Sequence, residues 1–296
     1  MPELPTMSAL WIGGALTWLE RLCLKSWVDA GHQMVLYTYD GVDRVPEGVK
    51  VRDASVITPG DNLYRHGRTG SIALFSDLFR FHLMRKAPGE IWIDTDIYCW
   101  RQFTPDAPHV FGYETPRQIN GAVLGLPPDS EALGQMLEFT EDEYPMPEFL
   151  SPKVLADYRE KAEAGTPVHV SEMPWGVWGP LCVTHFLKKT GEAKFAKPME
   201  VFYPVHYRDR NVFFKRPVRT LRHITDDTIT VHLWARIKKF AGVNFGGYPP
   251  EGSFIARRME MHGLDPKFGR VVSHGKMKFD HTPFDENGEQ SVIVTD

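Results

Sequence analysis

Two aspartates separated by one residue, Asp94 and Asp96, are the side chains of this sequence best suited to chemistry. They lie near the end of residues 91–98, whose β-branched and aromatic side chains predict a buried strand. Since side chains alternate along a strand, residues two apart share a face, so the carboxylates are predicted to lie side by side. Adjacent carboxylates repel each other unless a cation separates them. The pair therefore indicates a divalent metal site, although an Asp-x-Asp triplet alone is a weak signal and most such pairs are solvated turn residues.

An amphipathic helix is predicted just before this strand. Apolar side chains recur every three to four residues at Phe75, Leu78, Phe79 and Leu83, with Phe81 and Met84 widening the stripe. Asp77 and Arg80 lie one turn apart on this helix and face together. Pro88 and Gly89 end it. A helix that carries an Asp and an Arg and leads into the Asp-x-Asp strand strengthens the case for a metal or phosphate site, and a solvated loop stays open as the alternative.

The first part of the chain predicts a βαβ unit. Strands are predicted at residues 8–12, 34–39 and 49–53, with a helix between the first two. A crossover helix between short strands implies a parallel sheet, whose ligands gather at the carboxyl ends of the strands. Trp11, Ile12 and Gly13 lie at such an end. The stretch lacks the third glycine of a dinucleotide-binding fingerprint, and its tryptophan either stacks on a base or sugar ring or belongs to the core.

The rest of the chain continues the alternation of strands and helices. Strands are predicted at 110–113, 119–126, 201–203 and 229–233, and helices at 130–139 and 180–189. Residues 141–178 are acidic and proline-rich, which predicts an irregular or helical annex. Asn120 lies in a predicted bend near the site. Alternation along the last strand predicts that His232 and Trp234 share a face.

Composition limits the classes of function. A chain of 296 residues with 42% hydrophobic and 12% aromatic residues can bury one large core. The net charge of −4 gives no reason to expect a nucleic-acid partner.

Cys23, Cys99 and Cys182 form no CxxC pair, which favours structural thiols and a reducing, cytoplasmic setting. No apolar run approaches the roughly 20 residues of a membrane-spanning helix, while peripheral contact with a membrane stays open.

Seven short motifs in order resemble those of the bacterial DxD-type sugar transferases of glycosyltransferase family 32. This group includes capsular and lipopolysaccharide galactosyl- and mannosyltransferases, with the glucosylating domains of clostridial toxins as distant relatives. The motifs are LWIGG, SDLFR, WIDTD, Asn120, WGPLCVTH, FYPV and HLW. Each is weak singly, but their order across residues 8–240 is specific. Pro88-Gly89-Glu90 departs from the Gly-Gly that commonly precedes the DxD strand.

The resemblance implies a GT-A fold, with a Rossmann-like mixed sheet flanked by helices. The expected organisation is one catalytic domain over residues 1–250 and a C-terminal extension over 251–296. The implied cofactors are Mn²⁺ or Mg²⁺ and a nucleotide-sugar donor, foremost a UDP-sugar. The implied partner is a glycan acceptor, without nucleic acid.

By similarity, five residues are expected to bind the donor. Trp11 would stack on the donor base, with Ile12 and Gly13 beside it at the strand end. Asp77 and Arg80 of the SDxxR motif would hold the ribose and the sugar. These roles come from the resemblance, and the residues themselves show only that the side chains are suitable.

The same resemblance assigns the metal and catalytic positions. Asp96 is expected to be the more direct metal ligand, and Asp94 to lie nearer the ribose or sugar hydroxyls. His232 would approach the metal or the diphosphate, with Trp234 beside the donor. Asn120 would line the sugar or acceptor side.

The predicted activity is transfer of a hexose to a polysaccharide or lipopolysaccharide acceptor with retention of anomeric configuration, as in the relatives. Two alternatives remain open at this stage: a nucleotide-sugar hydrolase on the same scaffold and a sugar-binding protein without catalysis. A pyrophosphorylase is disfavoured, because GGALTWLE after the first strand has no basic residue for a phosphate loop.

Overall fold

A computed structural model of the chain describes residues 4–61 and 63–271. The strands are β1 Met7–Leu10, β2 Met34–Thr38, β3 Val49–Asp53, β4 Ile91–Ile93, β5 Ile97–Cys99, β6 Val110–Thr115, β7 Gln118–Gly125 and β8 Thr230–His232. Six of them form one sheet in the order β3-β2-β1-β4-β7-β6. The first four in that order run parallel, and β7 is antiparallel to both β4 and β6. The predicted mixed sheet is therefore confirmed.

Helices cover both faces of this sheet. They are α1 Trp18–Asp29, α2 Ala73–Lys86, α3 Glu131–Glu141, α4 Pro152–Glu163, α5 Pro180–Lys189, α6 Met199–Phe202, α7 Val218–Leu221, α8 Ile237–Asn244 and α9 Phe254–Met261. On one face, Phe79 of α2 and Val183 of α5 share a core with Trp92 of β4. On the other face, Trp27 of α1 packs with Ile93. Because Trp92 and Ile93 are consecutive in β4, their side chains lie on opposite faces of the sheet, as strand alternation requires.

The predicted continuous strand over residues 91–98 is wrong. β4 ends at Ile93, and β5 begins at Ile97 in a separate two-stranded sheet with β8. A turn joins them, closed by the Ile97 N–H donating to the Asp94 carbonyl at 3.0 Å. Aspartate is a poor strand former and a good turn residue, so the Asp-Thr-Asp sequence suits the point where the chain leaves one sheet for another.

The predicted strand over residues 201–203 is also wrong. Helix α6 occupies Met199–Phe202, directly after Pro198. Val201, Phe202 and Tyr203 are all buried, so burial and not strand alternation explains their apolar character. Just before this helix, Lys197 forms a bridge to Gly112 of β6 at the edge of the sheet. Local β propensity was overridden by tertiary packing.

The predicted annex over residues 141–178 contains α4 and a 3-10 helix at Val170–Glu172. It contacts the loop that precedes α2: the Gly67 N–H donates to the Ser171 carbonyl at 2.8 Å, and the His66 and Trp175 rings lie 5.4 Å apart. Cys23, Cys99 and Cys182 are free and buried. Within the described part of the chain, no helix combines the length and apolar character needed to cross a membrane. Of the C-terminal extension predicted over residues 251–296, residues 272–296 lie outside the described residues.

Candidate active site

Asp94, Asp96 and His232 bring their ligand atoms together at the junction between the two sheets. One ligand atom from each lies within 4.8 Å of the others. The carboxylates converge although no continuous strand carries them, because the turn after β4 and the pairing of β5 with β8 replace the predicted alternation. The Leu233 N–H donates to the Asp96 carbonyl at 2.9 Å, which ties the turn to the end of β8. The two carboxylates are therefore close, as their spacing predicted, but a turn brings them together and not the alternation of a continuous strand.

Asp96 and His232 form a buried, charge-coupled pair. Nε2 of His232 lies 3.2 Å from Oδ1 of Asp96, and the Ala235 N–H donates to Oδ2 at 2.6 Å. Burial alone would raise the pKa of Asp96, but the charge of His232 and its hydrogen bond outweigh burial and lower that pKa. Burial would lower the pKa of His232, whereas the charge of Asp96 raises it. The arrangement holds Asp96 as an anion.

The His232 ring stacks on Trp234 with centroids 3.7 Å apart. The predicted shared face is present, but alternation does not produce it, because β8 ends at His232 and Trp234 has a left-handed backbone with φ 61°. A turn folds the indole back onto the imidazole, and its Nε1–H donates to the Val205 carbonyl at 3.2 Å. This stacking fixes the orientation of the His232 ring.

Arg80 lies between the carboxylates of Asp77 and Asp94. Its Nη2 is 3.1 Å from Oδ1 of Asp77 and 3.2 Å from Oδ1 of Asp94, while its Nη1 donates to the Gly121 carbonyl at 2.6 Å. The Trp92 indole donates to the same Asp94 oxygen at 2.7 Å. Burial raises the pKa of Asp77 to about 7, and the nearby Arg80 lowers it without cancelling the effect. Asp77 and Arg80, whose pairing on α2 was predicted from their spacing, are therefore joined to the Asp-x-Asp turn.

Asn120 contacts a carboxylate that the sequence analysis did not select. Its Nδ2 donates to Glu114, and Gln118 donates to the other oxygen of that carboxylate at 2.6 Å. The Tyr203 hydroxyl donates to the Asn120 carbonyl at 3.2 Å, and the Tyr203 ring lies 5.8 Å from that of His232. The charge of Glu114 also raises the pKa of His232. A hairpin between β6 and β7 creates this grouping, which no local spacing signals.

Trp11 lies just past the end of β1, where its indole N–H donates to the Gly14 carbonyl at 2.9 Å. Ile12 packs against the core beside it, and the left-handed Gly13, with φ 140°, makes the turn. Lys238 of α8 reaches this point: its Nζ lies 5.6 Å from the centroid of the Trp11 ring. The charge of Lys238 also lowers the pKa of Asp96. This cation, whose Nζ also lies 2.6 Å from Oε1 of the buried Glu20, is near both the tryptophan and the acidic cluster, and the sequence analysis missed it.

Gly179 is a second residue that the sequence analysis missed. It immediately precedes α5, and a Cβ at this position would lie 2.7 Å from Oδ2 of Asp77. A glycine is therefore required for the WGP segment to approach the buried carboxyl group. The available signal was the Gly-Pro pair at the start of a helix, which indicates an initiation site but not its contact with Asp77.

The donor atoms of the cluster fit a divalent cation. Two carboxylates and one imidazole are ligands that Mn²⁺ accepts, and the oxygens also suit Mg²⁺. Within residues 4–61 and 63–271, Nδ1 of His232 is buried and has no hydrogen-bond partner. The contacts of Asp94 with Arg80 and Trp92 both use Oδ1, which leaves Oδ2 for a ligand.

The C-terminal residues of this site lie in a stretch that matches a protein-family model. Residues 172–248 match the family model of the alpha 1,4-glycosyltransferase conserved region. The matched stretch contains α5, His232 and Trp234. Among solved structures, the chain is similar to the PaToxG glycosyltransferase, with 12% identity and a TM-score of 0.41, over 65% of this chain and 75% of that chain. No curated protein sequence matches the chain significantly.

The site and the family match define the class of this protein as an enzyme of the glycosyltransferase type. The resemblance to family 32 inferred from the ordered motifs is confirmed at this level. The architecture agrees with the GT-A-like expectation of a mixed sheet flanked by helices.

Proposed function

We propose that the chain is a metal-dependent, retaining glycosyltransferase. It would move a hexose from a nucleotide-sugar, foremost a UDP-sugar, to a hydroxyl of a polysaccharide or lipopolysaccharide acceptor. The observation that carries the proposal is the convergence of Asp94, Asp96 and His232 to within 4.8 Å. The family match over residues 172–248, which assigns sugar transfer, supports it.

The three converging residues would hold the metal, with Asp96 as the principal ligand. A bound Mn²⁺ or Mg²⁺ would supply Lewis-acid stabilisation of the charge that develops on the departing diphosphate. Asp96 suits this role because its interaction with His232 keeps it ionised. Arg80 orients the neighbouring Asp94 by pairing with its Oδ1.

The donor would lie between Trp11 and the acidic cluster. The Trp11 ring is partly exposed at the end of β1 and can stack on a base. Lys238, which pairs with the buried Glu20 and lies near both, would also reach a phosphate oxygen. Asp77 and Arg80 would bind the ribose and the sugar on the α2 side. The distribution of one aromatic ring, one cation and a carboxylate cluster suits a nucleoside diphosphate linked to a sugar.

The Asn120–Glu114 pair would line the sugar and acceptor side. Glu114 is held by two amide donors and keeps acceptor capacity for a sugar hydroxyl. The matched family is described by alpha 1,4 transfer, and an α-linked product formed from an α-linked nucleotide-sugar corresponds to retention. We propose a same-face displacement: the bond between the sugar and the phosphate breaks, the acceptor oxygen bonds to the same carbon, and its proton passes to the departing phosphate.

Titration calorimetry with UDP and GDP, each with and without Mn²⁺, tests this proposal. We expect UDP to bind only with Mn²⁺, and binding to be lost in Asp96→Ala. Asp129→Ala, at an exposed position on the loop before α3, is the matched control and should bind as the native chain does. Equal affinity in Asp96→Ala would refute the metal site. UDP release from UDP-sugars, measured without and then with a glycan extract, separates hydrolysis from transfer.

A further inference from the structure

Positive charge is concentrated in one segment of this acidic protein. The chain has a net charge of −4, yet residues 207–222 contain six Lys or Arg residues and one Asp. The basic residues are Arg208, Arg210, Lys215, Arg216, Arg219 and Arg222. The segment comprises the 3-10 helix Tyr207–Phe214 and helix α7. We name it the basic surface.

The charges of the basic surface are not neutralised by the described part of the protein. In residues 4–61 and 63–271, none of its six basic side chains forms an ion pair with a carboxylate. Arg210 instead lies 4.1 Å from the centroid of the Tyr207 ring and donates to the Tyr207 carbonyl. Arg222 contacts the neighbouring His223 at 3.3 Å. Lys215, Arg216 and Arg219 are exposed. The surface therefore presents a positive potential to an external partner.

Apolar side chains project among these charges. Val218 is 66% exposed and Leu221 is 41% exposed. They are three residues apart in α7, so they share a face of the helix, and Arg219 and Arg222 follow each of them directly. Buried Thr220 anchors the other side of the helix, since its Oγ1 donates to the Val212 carbonyl at 3.5 Å. Exposed apolar side chains beside cations supply the two contributions to binding at a lipid interface, apolar burial and attraction to anionic lipid.

The basic surface adjoins the candidate active site. The rings of Tyr207 and Trp234 lie 5.4 Å apart, and Trp234 stacks on His232. Tyr207 is itself exposed, and tyrosine favours the boundary between water and lipid. A partner that covers the Tyr207 end of this surface would therefore lie next to Trp234 and the candidate site.

We propose that residues 207–222 dock the protein on an anionic phospholipid bilayer. Arginine and lysine attract the negatively charged headgroups, and Val218 and Leu221 insert into the interface. A nucleic acid would account for the charge but not for the two exposed aliphatic side chains. The docking stands apart from the proposed sugar transfer, and together they would place the site next to acceptors carried on lipid.

Cosedimentation of the full chain with vesicles tests the docking. Vesicles of phosphatidylcholine alone are compared with vesicles of equal parts phosphatidylcholine and phosphatidylglycerol. We expect binding only to the anionic vesicles, and loss of binding at high salt. Arg216→Gln/Arg219→Gln/Arg222→Gln should weaken it about 100-fold, at about fivefold per charge. The matched control removes three exposed charges elsewhere, Lys50→Gln/Lys153→Gln/Arg159→Gln, and should weaken it far less.

A second variant separates lipid insertion from charge alone. Val218→Ser/Leu221→Ser keeps every cation, and should weaken vesicle binding while leaving any binding to a single-stranded oligonucleotide unchanged. Equal binding to neutral vesicles, or equal loss in both triple variants, would overturn the proposal. Oligonucleotide binding as tight as vesicle binding would assign the surface to nucleic acid, and selective competition by inorganic phosphate would assign it to a soluble phosphate ligand. Asp96→Ala should bind vesicles normally, so failure of sugar transfer remains distinguishable.

Discussion

Nε2 of His232 lies 3.2 Å from Oδ1 of Asp96, and the backbones of the two segments are joined by the Leu233 N–H bond to the Asp96 carbonyl. This contact joins the Asp-x-Asp turn of the first half of the chain to the end of β8 in the region that matches the family model. The two motifs are thus one structural unit. A substitution of His232 therefore removes the imidazole and also changes the pKa of Asp96.

His232→Ala should weaken Mn²⁺-dependent activity by about 10- to 100-fold, the usual effect of losing a partner at a metal site. The activity should recover in part at higher Mn²⁺, because the two carboxylates remain. A titration of activity against Mn²⁺ measures this shift. His185→Ala, on α5 and paired with Glu148, is the control. An unchanged Mn²⁺ requirement in His232→Ala would exclude His232 as a ligand.

Arg80→Met should lower the free energy of unfolding by about 3 kcal/mol or more, because it leaves two buried or partly buried carboxyl groups without their cation. Adding Asp77→Asn should recover part of this loss, since one of those groups is then neutral. Urea unfolding of the two single variants and the double variant gives the coupling energy. Strict additivity of the two substitutions would contradict the 3.1 Å contact between the side chains.

Gly179→Ala should impair donor binding, because its Cβ would lie 2.7 Å from Asp77 Oδ2 and would displace that carboxyl group. Overpacking of this kind costs about 1–3 kcal/mol. The control is Gly134→Ala inside α3, where the nearest atom to the new Cβ is 3.9 Å away. That variant should gain up to about 1 kcal/mol from helix propensity. Thermal unfolding and donor titration of both variants distinguish the two effects, and normal donor affinity in Gly179→Ala would be evidence against the role of Asp77.

Trp11→Ala should raise the KM for the donor by about 10- to 100-fold, the range expected when a side chain that stacks on a base is removed. Trp11→Phe keeps an aromatic face and should lose much less. The value of kcat should change little in both variants, because Trp11 would contact the base and not the reacting carbon. Steady-state kinetics with a UDP-sugar measures the separation. A large loss of kcat with a constant KM would move Trp11 away from the base.

His32 should contribute a decrease in the free energy of unfolding as pH drops below the ordinary pKa of histidine, about 6.5. Burial lowers the pKa of His32, and its Nε2 accepts the Phe103 N–H at 3.1 Å, which requires the neutral ring. The unfolded state then binds more protons, so this contribution is complete above the unfolded pKa and is lost as pH falls through the lowered folded pKa.

Denaturant unfolding of the native chain and His32→Gln at several pH values isolates the contribution of His32 to the free energy of unfolding. Asp77, whose raised pKa acts in the opposite direction, is present in both proteins and cancels in the comparison. Between neutral and mildly acidic pH, the native chain should lose unfolding free energy relative to the variant. Parallel curves would mean that His32 does not titrate differently in the folded state.

The sequence by itself determined the elements whose residues interact with their near neighbours. Apolar periodicity predicted α2 and α5, and β-rich runs predicted β2 and β3 with bounds close to those observed. The pairing of Asp77 with Arg80 was also accessible, because residues three apart on a helix face together. Residue spacing is sufficient to predict which side chains face together where the backbone geometry repeats within a single helix or strand.

Only the tertiary structure decided which distant groups meet. The break between β4 and β5, the left-handed Trp234 and the conversion of residues 199–202 to helix all depend on which sheet each segment joins. The contact of Glu114 with Asn120 requires the β6–β7 hairpin, and the approach of Lys238 to Trp11 requires α8 to lie beside the end of β1. Residue spacing specifies which face of an element is buried, but long-range packing selects the partner against which that face is buried.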